Sequence, residues 1–190
     1  PPVQLDVEAT VNKIGSKGML LHPVLQPRRV NRNQLLLLVD QDGSMAPFHS
    51  LSERLVHTAI PGGRLGKAGI YYFHNCPSQY LYQDPYHQVA EPIAEVLSVL
   101  HSEYTGVMIF SDAGAARGAF NQERLELTAE FLQQLRQKLR YIAWLNPMPR
   151  NRWQGTASEI AKLVPMFELS RQGLNEAIDV LRGKSTTKMV

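Results

Sequence analysis

Cysteine is nearly missing from this chain. With Cys76 alone among 190 residues, no internal disulfide can staple the fold, and a reducing compartment suits it, so a cytoplasmic location is expected. Charge is also sparse, since Asp, Glu, Lys and Arg make up 19 % of the chain. The 20 basic residues against 17 acidic ones leave a net +3, too small and too scattered an excess to expect a nucleic-acid partner. The longest apolar run, Leu35 to Val39, falls far short of the roughly 20 residues that a membrane span needs, so no membrane contact is expected either. The chain opens on Pro1-Pro2 without an initiator Met, a basic start or an apolar signal core. That opening reads as a fragment or a processed product with flanking domains missing.

What remains is enough apolar residue for one core, 44 % of the chain, and a length that suits one principal domain. Residues 1–33 alternate weakly and are punctuated by Gly15, Gly18, Pro23 and Pro27, which predicts an extended arm or hairpin. The principal domain is expected over 34–190. It starts with Gln34 to Asp40, a continuous apolar stretch ending in an acid, the pattern of a strand buried on both faces of a parallel sheet. Beyond it the chain alternates. Helices are predicted over about 47–60, 91–101 and 122–138, a short one from a Thr156-Ala157-Ser158-Glu159 capping box, and a last one stopped by Gly183. Strands are predicted over about 67–73, 80–82, 107–112, 141–145 and 166–169. In the 122–138 helix the stripe Leu125, Thr128, Leu132, Leu135 and Leu139 faces the core, and the Glu, Gln and Arg residues face solvent.

This order predicts an α/β, Rossmann-like, doubly wound fold: a mostly parallel central sheet with helices on both faces. Ligands of such sheets bind outside the carboxyl ends of the strands, where the strand order reverses. Asp40 and Asp112 are the acids expected there. Asp40-Gln41-Asp42-Gly43-Ser44 follows the central strand directly, and Gly43 permits a tight turn that would aim Asp40, Asp42 and Ser44 at one point. With Asp112 these residues make a hard-oxygen set suited to Mg²⁺, or to Ca²⁺ or Mn²⁺, rather than zinc. Capping of the next helix by Asp40 and Asp42 is the plainer alternative, but it leaves Asp112 without a role.

The segment Leu35 to Met45, LLLLVDQDGSM, resembles the first strand and metal loop of von Willebrand factor A (VWA) domains, whose metal-ion-dependent adhesion site (MIDAS) reads Asp-x-Ser-x-Ser. Ser111-Asp112-Ala113-Gly114 resembles the later acidic position of that family, and Trp144-Leu145-Asn146-Pro147 is similar to a strand ending of its bacterial CoxE-like branch. The likeness runs from about Gln34 to Gly183. It implies the VWA fold, a cation held by Asp40, Ser44 and Asp112, and an acidic partner side chain completing the coordination. It also implies a non-enzymatic, protein-binding role beside a MoxR-type AAA+ ATPase that assembles or remodels a client protein. Two positions depart from the family pattern. Asp42 stands where the family has Ser, and the loop that supplies a Thr is abbreviated, with Gln83, Asp84 and Tyr86 the nearby polar residues. An extra carboxylate would hold the cation more tightly and an acidic partner less tightly.

Asp-x-Asp-Gly-Ser after an apolar strand also resembles the first motif of haloacid-dehalogenase phosphatases, with Asp40 as nucleophile and Asp42 as general acid/base. Those enzymes need a later acidic pair, whereas Asp179 is the only aspartate after Asp112. A scaffold whose metal loop has lost its ion is a third possibility. Elsewhere, His74-Asn75-Cys76 has too few ligands for zinc, and Gly62-Gly63-Arg64-Leu65-Gly66 follows a helix and reads as a turn. Arg117, Arg150, Arg152 and Trp153 fall in loops leaving strand ends and are candidate partner contacts, because Arg and Trp are enriched at interface hot spots.

Overall fold

The computed structural model describes residues 34–41, 43–59 and 66–184, together with two short strands near the start. Residues Pro1–Asn31 form one compact unit and Arg32–Val190 another. In the first, β1 (Val3–Leu5) pairs antiparallel with β2 (Leu25–Pro27). The rest of the expected arm lies outside the described residues.

The second unit is built on a seven-stranded sheet. Its strands are β3 (Gln34–Asp40), β4 (Gly66–Phe73), β5 (Tyr80–Tyr82), β6 (Ala90–Pro92), β7 (Thr105–Phe110), β8 (Tyr141–Asn146) and β9 (Met166–Glu168). They lie side by side in the order β6-β5-β4-β3-β7-β8-β9. Pairing is parallel across β4, β3, β7, β8 and β9, and antiparallel on both sides of β5. The chain therefore winds outward from β3 in one direction and returns to continue from β7 in the other. The order reverses between β3 and β7, so their carboxyl ends open the crevice in which sheets of this kind bind ligands.

Helices cover both faces, as the alternation of strands and helices predicts. A 3-10 turn (Gly43–Phe48) leads into α1 (His49–Ala59). The others are α2 (Ile93–Ser98), α3 (Gln122–Lys138), α4 (Thr156–Leu163) and α5 (Arg171–Leu181). Leu36 and Leu38 of β3 pack on one side with α2, α3 and α4, while Leu37 and Val39 pack on the other with α1 and α5. Residues of a strand point alternately to its two faces, so an unbroken leucine run serves only a strand covered on both. Burying each of these leucines contributes about 1.5–3 kcal/mol. Among the described residues, no helix is long and apolar enough to cross a membrane.

Three local expectations need correction. The helix expected over 91–101 is confined to Ile93–Ser98, because Ala90–Pro92 pairs with β5 as an edge strand. Pro92, which has no N–H to give, suits an edge position. The 107–112 strand runs instead from Thr105 to Phe110, leaving Ser111 and Asp112 beyond its end. Thr156 does not open a capping box. Gly155 is the residue before α4 and has no side chain to cap with, while the Thr156 hydroxyl is engaged elsewhere, accepting from Asn121 N–H at 2.8 Å and reaching the Ala119 carbonyl at 3.2 Å.

Gly155 is itself required. Its φ is +57°, and a Cβ there would stand 2.6 Å from the carbonyl carbon and oxygen of Ala119. Gly155→Ala is expected to lower unfolding free energy by about 2–4 kcal/mol in urea titration, through left-handed backbone strain plus overpacking. A loss below about 0.5 kcal/mol, the size of an ordinary surface substitution, would show that the 112–121 and 153–156 loops do not approach this closely.

Candidate functional site

β3 and β7 end side by side, and their terminal residues form one buried cluster. Asp40, the last residue of β3, is 2 % exposed and Asp112, two residues past β7, is fully buried. Asp40 Oδ1 accepts the Asn75 N–H at 2.9 Å, and Oδ2 accepts the Ser111 hydroxyl at 2.6 Å. Ser111 Oγ in turn accepts the Ala113 N–H at 3.1 Å. Asp112 Oδ1 accepts Gly114 N–H at 2.9 Å and Oδ2 accepts Ala116 N–H at 3.1 Å. The carboxylate thereby organises its own turn, in which Ala113 adopts a positive φ of 53°.

The backbone of this turn is pinned from the next strand. Trp144 Nε1 donates to the Ser111 carbonyl at 2.8 Å, and Asn146 Nδ2 donates to the Asp112 carbonyl at 3.0 Å. From the other side, Asp112 N–H points to Met45 Sδ at 3.2 Å.

Between the two carboxylates lies Arg124. Its Nη2 is 3.7 Å from Asp40 Oδ2 and 3.5 Å from Asp112 Oδ1, and the side chain is only 8 % exposed. These are charge contacts rather than good hydrogen bonds, and among the described residues Nε and Nη2 have no hydrogen-bond partner. Arg124 is thus held chiefly by the field of the two aspartates. Its place follows from α3, whose first turn is fixed by the N-cap Asn121 accepting from Arg124 N–H. The sequence pattern places the arginines of this helix on its solvent face. Arg124 is instead buried with Thr128, Phe131, Leu132 and Leu135. It stands four residues before Thr128, on the same stripe, and that spacing was the available signal.

Burial weighs on the Asp40 carboxyl. Desolvation pushes its pKa up to about 6, with Asp112 adding to the rise, while the Ser111 hydroxyl, Arg124 and the Asn75 N–H pull the other way.

Of the residues expected to hold a cation, Asp40 and Asp112 come together and Ser44 sits half-buried in the 3-10 turn after β3. Asp42 lies outside the described residues. Asp84 does not replace the family's Thr, because its carboxylate accepts N–H groups of Tyr86, Gln88 and Val89 within its own loop. Gln83 donates to Glu91 at 2.8 Å, and Tyr86 is 80 % exposed.

The four described carboxylate oxygens do not make an open ligand shell for the divalent ion that the VWA likeness implies. Each already accepts a hydrogen bond, and a guanidinium lies against both groups. A divalent ion about 4 Å from that guanidinium would be repelled by about 8 kcal/mol at an effective dielectric constant of about 20. Among the described residues, no group of three His, Cys, Asp or Glu side chains is placed to hold a metal. The described residues therefore fit a fixed internal cation better than a directly coordinated metal.

Around this centre the rim is basic. Arg117 is exposed and its Nη2 donates to Asn75 Oδ1 at 3.4 Å. His74 donates from Nδ1 to the Gln41 carbonyl at 3.0 Å, and its Nε2 receives the Asn75 amide at 2.6 Å. Both ring nitrogens are engaged. Cys76 is half-buried beside Thr128, 3.4 Å between Sγ and Oγ1, and burial pushes its thiol pKa up. Neither residue forms a soft-metal site. Arg150 and Arg152 are exposed, whereas Trp153 packs on the core with its indole N–H on the Met148 carbonyl at 2.8 Å.

Comparisons with protein-family models, curated proteins and solved structures bring no match to this chain.

Proposed function

We propose that the chain is a VWA-like, non-enzymatic protein-binding domain in which Arg124 does the electrostatic work that a divalent ion does in the family it resembles. The observation that carries this reading is Nη2 of Arg124 lying between Asp40 and Asp112 at the β3/β7 switch point. One positive charge offsets much of the repulsion between two buried carboxylates and keeps the rim in a single arrangement without an added ion. Exposed Arg117, Arg150 and Arg152 then meet the partner. The CoxE-like resemblance supports a MoxR-type AAA+ ATPase as that partner, by analogy of family.

The phosphatase alternative has less support. Its nucleophile would be Asp40, which is 2 % exposed with both oxygens hydrogen-bonded, leaving a phosphoryl group no approach.

Thermal unfolding with and without Mg²⁺ tests the proposal. The native chain is expected to shift by under about 1 °C in millimolar Mg²⁺, because an ion without affinity for the folded state adds no stability. Stabilisation by several degrees, lost in Asp112→Ala, would overturn it and favour the metal-dependent reading with Asp40, Asp42, Ser44 and Asp112 as ligands.

A further inference from the structure

A second concavity, of about 520 Å³, opens between α1, the end of β4 and the 84–89 loop, lined among others by Gln41, Ser52, Glu53, Tyr72 and Tyr86. Besides His49 and His57, what lines it is biased toward accepting. Gln41 is part of the lining, and its Oε1 is buried with no hydrogen-bond donor among the described residues. Glu53 brings a carboxylate, and the Ser52 hydroxyl spends its proton on the His49 carbonyl at 2.8 Å, leaving oxygen lone pairs. Tyr72 and Tyr86 add ring faces, which attract cations. No lysine or arginine is among the described residues that line it.

A metal is the first occupant that suggests itself, since His49, Glu53 and His57 recur every four residues along α1. Two turns of helix separate the outer pair by about 12 Å, too far for one ion. No described set of three such side chains could hold a metal.

We infer that this cavity receives an organic cation, the guanidinium of an arginine or the ammonium of a lysine, with Glu53 as counter-ion and the Tyr72 and Tyr86 rings alongside. An exposed carboxylate beside two ring faces asks for donors that also carry positive charge, and a guanidinium supplies five N–H groups in one plane. The field agrees. Tyr72 has its pKa raised by burial first and then by the charges of Glu53 and Asp84. The inference stands apart from the role given to Arg124, because Glu53 does not touch the buried aspartates.

Calorimetry on the full chain tests it with two kinds of probe: L-arginine amide, and peptides identical except for Arg, Lys or Gln at the centre. The Arg and Lys probes should bind, and Glu53→Gln should weaken them about tenfold by removing the charge-assisted contact. Glu53 is exposed, so the variant should keep the native melting curve. Ring shifts of Tyr72 and Tyr86 on titration would locate the cation in the cavity. Binding of the free amide alone would identify a small-molecule source, and binding of the peptides a protein source. Equal binding of Arg and Gln peptides, no binding by any probe, or an unchanged affinity in Glu53→Gln would overturn the inference. Failure of the Mg²⁺ experiment leaves these outcomes unmoved.

Discussion

Arg124→Met should lose about 3–5 kcal/mol of unfolding free energy, the usual result of removing one member of a buried charged cluster and stranding the rest. Methionine fills much the same volume, so the loss reads charge rather than packing. Asp40 and Asp112 would then face each other with no positive charge between them. Two consequences separate this mechanism from a packing defect. Adding Asp112→Asn to Arg124→Met should recover part of the loss, since the second change removes the repulsion that the first created. The single variant, unlike the native chain, should also become more stable when Mg²⁺ is added, because a divalent ion can enter where the guanidinium was. Urea titrations of the two variants with and without Mg²⁺ measure all three quantities. A loss below about 1 kcal/mol, in the range of an exposed ion pair, would mean that Arg124 is not the internal cation.

The second large effect is a pH dependence traceable to one carboxyl group. Asp40 has an ordinary pKa of 3.8, raised in the folded protein to about 6. Between these values the folded state holds a proton that the unfolded chain has released. The contribution is therefore fully present below about pH 4 and is lost as the pH rises through about 6, a change of roughly 3 kcal/mol at about 1.4 kcal/mol per pH unit. The measurement that isolates this group is the difference between native chain and Asp40→Asn across pH 4 to 7. The native chain should lose about 2–2.5 kcal/mol more than the variant over that window. Parallel curves would show that Asp40 titrates as an ordinary aspartate.

The parts of the fold legible in advance were those in which burial and periodicity agree. Leu35 to Val39 is apolar at every position, and only a strand covered on both faces uses such a run. The 122–138 helix carries its N-cap Asn121 and a long apolar stripe, and it emerged over the expected residues. Short elements were harder. Ala90–Pro92 is three residues long, and nothing in Ala-Glu-Pro distinguishes an edge strand from the start of the following helix. Thr156-Ala157-Ser158-Glu159 has the residues of a capping box, but the Thr hydroxyl is taken by a loop distant in sequence, which no local pattern reports.

The site divides the same way. Asp40 and Asp112 were visible because strand ends in a doubly wound sheet meet at one rim. Arg124 was not, because in Gln122-Glu123-Arg124 it sits among residues that usually face water, and its burial depends on two acids supplied from elsewhere in the chain. Arg117, expected as a partner contact, takes no part in balancing the acids. It lies outside the cluster, against Asn75.

The hydrogen bond from Trp144 to the Ser111 carbonyl ties an aromatic emitter to the residue whose hydroxyl rests on Asp40. Indole fluorescence responds to the polarity and charge around the ring, so a rearrangement of the rim should reach the chromophore through a single peptide group. The chain has only two tryptophans, and the other donates to the Met148 carbonyl in a neighbouring loop. The domain thus carries an optical gauge of its own centre, readable without a label.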